Sequence, residues 1–117
     1  LYGIIYLYRK GVKKMNKDQI ISALLEIKRD CLSIHDDASH KAVMDKYNMI
    51  ITGTRRNVIS TSHFIIALKK YFQIDITDEE LLSVIPEMCA ELDMHIEPFT
   101  DANTSDRDIT AYEITLT

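Results

Sequence analysis

The chain predicts a mainly helical α+β fold, three to four helices followed by a C-terminal antiparallel β-hairpin. Three observations carry that reading. Apolar residues recur at helical spacing through most of residues 17–92, Thr77-Asp78-Glu79-Glu80 is a helix-start signature, and the apolar period shortens to two at the C-terminus. With 117 residues, 46% of them hydrophobic and 27% charged, the chain suits one core and not two.

The first helix is predicted from Lys17 to about Ser33. Ile20, Leu24, Ile27 and Cys31 mark one face, and Ile21, Leu25 and Leu32 widen the apolar stripe. Asn16 is placed to cap it, with Gln19 at the third position. The segment Ile34–Ser39 interrupts the pattern. Asp36, Asp37 or Ser39 then caps a second helix to about Ile50, with Val43, Tyr47 and Ile50 facing inward. Residues 51–60 hold Gly53 and read as a loop with short β pieces at Ile50–Thr52 and Asn57–Ile59. Ser60 or Thr61 opens a third helix through about Phe72. Its stripe is Phe64, Leu68 and Tyr71, flanked by Ile65 and Phe72, with Lys69 and Lys70 pointing outward.

Thr77 to Glu80 fits the capping box, and Leu81, Ile85, Met88 and Leu92 form the buried stripe of the helix that follows. Pro86 sits inside this helix, where it removes a ladder donor and predicts a kink or a break. Met94–Phe99 reads as a strand. Ile109–Thr117 ends in the alternation Tyr112, Ile114, Leu116 against Glu113, Thr115, Thr117, a half-buried strand. Thr100–Asp108 is the polar loop between them. Residues 15–117 are therefore expected to be a single domain.

Residues 1–14 are a separate matter. Leu1–Tyr8 is apolar but shorter than the about 20 residues a membrane span needs. Arg9, Lys10, Lys13 and Lys14 follow the apolar run, whereas a signal peptide carries its positive charge before it. A literal leucine is what a UUG start codon encodes, and Arg9–Lys14 matches a purine-rich ribosome-binding sequence ahead of Met15. The expectation is translation from Met15, with a disordered basic arm as the alternative.

Chemistry-bearing constellations are sparse. His35-Asp36-Asp37 with His40 joins imidazole and carboxylate groups in one interhelical turn, but no further ligand motif accompanies it, and capping explains it better than a metal. Asp101-x-Asn103-x-Ser105 begins like a calcium loop, yet Asp106 stands where glycine is needed and Tyr112 where the bidentate glutamate belongs. Ser60, Thr61 and Ser62 precede His63 without a nucleophile-elbow motif, and His95 is expected on the exposed face of its strand. Three glycines in all leave no phosphate-binding loop. Cys31 and Cys89 have no zinc-type spacing and read as reduced core thiols of a cytoplasmic protein. No catalytic, cofactor or metal site is predicted, and the chain reads as non-enzymatic.

Charge is the most informative feature. Residues 71–117 hold twelve carboxylates against Arg107 alone, a net −11, while residues 1–70 hold thirteen basic and six acidic groups, a net +7. The element order resembles a winged-helix domain in layout. That resemblance makes the third and fourth helices, joined by Gln73–Thr77, a helix-turn-helix, and residues 100–108 the wing. The residues oppose DNA binding through that face. The fourth helix carries Asp78, Glu79, Glu80, Glu87 and Glu91 with no basic residue, and the wing carries Asp101, Asp106 and Asp108 against Arg107. These eight carboxylates instead predict docking on a basic, nucleic-acid-handling protein, as small acidic accessory proteins of phages and mobile elements do. The competing reading is a DNA-binding regulator using a basic patch of Arg55, Arg56, Lys69 and Lys70. No membrane partner is expected.

Overall fold

The computed structural model describes residues 2–52, 56–100 and 109–117, with side chains from Lys17 onward. The described elements, in order, are α1 (Tyr2–Leu32), α2 (Asp37–Tyr47), β1 (Val58–Ser60), α3 (Thr61–Lys70), α4 (Asp78–Glu91), β2 (His95–Thr100) and β3 (Ile109–Thr115). This is the mixed, mainly helical α+β architecture that the periodicity predicts.

The core lies where three helices meet one face of the sheet. Ile20, Leu24 and Ile27 of α1, Phe64 and Leu68 of α3, and Leu81, Ile85 and Met88 of α4 are all buried in one cluster with Ile59 and Ile114 of the sheet. Their spacings of three, four and seven put each set on one helix face. Burial of such side chains contributes about 1.5–3 kcal/mol each.

Strand β3 runs between β1 and β2, antiparallel to both. Ile59, Ile114 and Ile96 stand in register across all three strands and form a row on the inner face. Tyr112, Ile114 and Leu116 are buried while Glu113, Thr115 and Thr117 are only half-buried, as the alternation predicts. Pro98 is paired with Tyr112, whose N–H donates to Thr61 Oγ1 on the β1 side at 3.0 Å. Alternation of the ladder then turns the missing donor of Pro98 to the free edge of β2, where it costs no ladder bond and blunts the edge against pairing.

The caps are mostly those the sequence proposes. Asp36 caps α2: its Oδ1 accepts the Ser39 N–H at 2.7 Å, and Ser39 Oγ accepts the Asp36 N–H at 3.0 Å. Ser60 caps α3 and Thr77 caps α4, its Oγ1 accepting the Glu80 N–H at 3.1 Å. At the other ends, Asn48 and Asp93 take left-handed conformations, and the next residues, Met49 and Met94, donate to the carbonyls of Met44 and Cys89 at 3.0 and 2.8 Å. These are Schellman turns built without glycine, and each sends a buried methionine into the core. Gln73 is also left-handed and precedes the buried Ile74.

Several expectations are corrected. α1 already runs from Tyr2, so Asn16 lies inside a helix and cannot cap its start. α2 ends at Tyr47, and Ile50 is exposed while its neighbour Ile51 is buried, because the turn at Asn48 shifts the phase of the chain. α3 ends at Lys70, which leaves Tyr71 exposed. Leu25 and Leu32 do not widen the inner stripe of α1; they are 42% and 65% exposed. α4 is unbroken through Pro86, which is exposed. The expected β pieces near residues 50–59 form one bridge, Thr52 to Val58, and the strand β1, which joins the hairpin as a third member.

Candidate functional site

Helix α4 is built as a two-faced element. Leu81, Ile85, Met88 and Cys89 fix its inner face, which leaves Glu79, Glu80, Ser83, Pro86, Glu87, Ala90 and Glu91 exposed on the outer one, while Asp78 is exposed at the helix start beside Thr61, Ser62 and Thr110. Asp78, Glu79 and Glu80 occupy its first turn, where the partial positive charge of the helix end favours carboxylates. Glu80 is partly committed: its Oε1 accepts the Thr77 hydroxyl at 3.0 Å. Glu79 faces outward, and Asp78 is exposed at the helix start.

The far end of α4 is tied to α1. Lys17 Nζ lies 2.9 Å from Glu87 Oε1 and 3.2 Å from Glu91 Oε1. Its hydrogen bonds to Glu87, then Glu91, hold the ammonium above its ordinary pKa. Two of the eight predicted docking carboxylates are therefore partly neutralised within the chain. Nothing in the sequence announces this contact, since Lys17 stands seventy residues from Glu87. Asp101, Asp106 and Asp108 lie outside the described residues.

The basic candidates are dispersed. Lys69 and Lys70 are exposed in the last turn of α3. Arg56 is exposed ahead of β1, which leads into the opposite end of α3, a helix about 15 Å long. Arg55 lies outside the described residues.

The His35–His40 turn is organised around the helix cap. His35 Nδ1 lies 3.1 Å from the Ser33 carbonyl oxygen, Asp36 caps α2, and His40 Nε2 lies 2.8 Å from the Ile51 carbonyl oxygen, so the two imidazoles serve different contacts. Among the described residues, no group of three or more His, Cys, Asp or Glu side chains converges as a metal site would require. Ser60 is used as a cap and Thr61 is buried against β3, which removes two of the three hydroxyls near His63 from solvent chemistry. His95 is exposed and pairs with Glu97 at 2.7 Å, two residues on along the same strand face. Burial pushes both thiols, Cys31 and Cys89, up to about 11, with the Asp30 charge adding to the shift at Cys31. Such thiols are poor nucleophiles at neutral pH.

A groove of about 780 Å³ opens along α1, walled by Asp18, Ser22, Leu25 and Arg29 on one side and by Phe72 and Ile74 on the other. Beside it, the rings of Tyr47, Tyr71 and Phe72 pack together, and Tyr47 Oη and Lys46 Nζ both donate to Asp30 Oδ2. No helix among the described residues is long and apolar enough to cross a membrane.

Compared with protein-family models, with curated proteins and with solved structures, the chain matches none.

Proposed function

We propose that this chain is a non-enzymatic binding module of winged-helix type that docks a basic protein surface through the outer face of α4. The element order, with β3 between β1 and β2, supports the winged-helix reading, in which α3 and α4 form the helix-turn-helix and the β2–β3 hairpin the wing. The observation that carries the function is the chemistry of α4. Its exposed positions are acidic or neutral, with Asp78 and Glu79 in the first turn and no basic residue along the helix. DNA phosphates would be repelled by that face, and a cationic protein surface attracted to it.

The test starts from the 117-residue chain immobilised on beads and nuclease-treated bacterial lysate, with retained proteins identified by mass spectrometry. A basic protein is expected. With that protein purified, Asp78→Asn combined with Glu79→Gln should weaken binding, and so should rising salt. If nuclease treatment abolishes retention, and Arg56→Ala with Lys69→Ala and Lys70→Ala removes binding to DNA, the DNA-binding reading through Arg55, Arg56, Lys69 and Lys70 replaces this one.

A further inference from the structure

Helix α1 carries a second stripe that the fold leaves uncovered. Asp18, Ser22, Leu25, Arg29 and Leu32 follow one another at intervals of four, three, four and three, which places them on one side of the helix in a seven-residue repeat. The side opposite buries Ile20, Leu24 and Ile27. Leu25 and Leu32, one repeat apart, are 42% and 65% exposed, and the Arg29 side chain is 73% exposed, 3.7 Å from the Glu26 carboxylate that also lines the groove. The stripe borders the groove walled by Phe72 and Ile74, so apolar surface continues from α1 onto the α3–α4 connection.

We infer that this face binds a second copy of the chain, with the two α1 helices packed antiparallel about a two-fold axis. The charge order along the stripe selects both occupant and direction. In an antiparallel pair centred between Ala23 and Leu24, Asp18 of each copy stands opposite Arg29 of the other, giving two identical ion pairs. Ser22 of each stands opposite Leu25 of the other, a small side chain meeting a large one. A parallel pair would stack Asp18 on Asp18 and Arg29 on Arg29. Self-complementarity of this kind is what an isologous interface requires. Lys17, which reaches α4, lies on the flank of α1 away from the groove, so dimerisation leaves the acidic face of α4 open. The inference does not depend on the proposed function.

Sedimentation velocity of the full chain over a concentration series tests it, with circular dichroism melting as a check on folding. The wild type should be a dimer that dissociates on dilution. Leu25→Glu should be monomeric with an unchanged melt, since the residue is exposed. Asp18→Arg puts like charges at both ion pairs and should weaken dimerisation about tenfold or more. Asp18→Arg combined with Arg29→Asp should restore it. A monomeric wild type at every concentration overturns the inference, as does a dimer indifferent to Leu25→Glu, or a folded double variant that fails to recover.

Discussion

At the scale of single residues, Asp30 shows how half-buried polar chemistry is balanced. Burial opposes ionisation of its carboxyl, but hydrogen bonds from Lys46 Nζ and Tyr47 Oη outweigh that cost and hold its pKa below the ordinary value. Tyr47 in turn is raised, first by burial and then by its bond to Asp30, so it remains a neutral donor. A carboxyl with a depressed folded pKa stabilises the fold fully above its unfolded value of about 3.9, and that contribution is lost as pH falls through the folded value. Tyr47→Phe should therefore cost about 2 kcal/mol in urea unfolding at pH 7, with the gap to wild type closing below about pH 4. The thiols give a second expectation. Cys31 and Cys89 are 2% and 1% exposed with pKa values near 11, so a disulfide-exchange reagent should titrate neither in the native chain at pH 7 and both in urea.

At the scale of elements, the starts of α2, α3 and α4 are written in the sequence, while the start of α1 and the helix ends are not. Asp36, Ser60 and Thr77 are recognisable caps because a short polar side chain must satisfy free N–H groups. Thr77→Ala should lower stability by about 1 kcal/mol. The C-terminal signal is normally glycine, and here Asn48, Gln73 and Asp93 take its place, so the ends of α2, α3 and α4 read too long by one to three residues. Gln73 is the least natural of the three in a left-handed conformation, and Gln73→Gly should raise the melting temperature by relieving about 1 kcal/mol. Pro86 is exposed inside a continuous α4, so Pro86→Ala should restore a ladder bond and stabilise by up to about 3 kcal/mol, measured by thermal denaturation.

At the scale of the whole molecule, the two halves of the chain differ in charge, net +7 over residues 1–70 and −11 over residues 71–117. Among the described residues, the carboxylates after Tyr71 concentrate on α4, with Glu97 on β2 and Glu113 on β3, whereas the basic residues of the N-terminal half are spread over several elements. Lys17 is spent on Glu87 and Glu91, and Lys46 on Asp30. The chain should consequently pass through a DNA column at physiological salt and be retained on a cation-bearing protein surface, which Asp78→Asn with Glu79→Gln would weaken.

The inner faces of α1, α3 and α4, the alternation of β3, the caps of α2, α3 and α4 and the acidic character of α4 are legible in the sequence. Each follows from a period or a pairing within a few residues, which is the range over which backbone geometry acts. Tertiary structure alone decided the rest. A strand of three residues, β1, has no period to read and exists because β3 offers it hydrogen bonds. Leu25 and Leu32 look like core in a helical pattern, and only the packing of α1 reveals that one face was already enough to fill the core. The bond from Lys17 to Glu87, like the path of the groove between α1 and Phe72, depends on which helices meet, and contacts between distant segments leave no local trace in a single sequence.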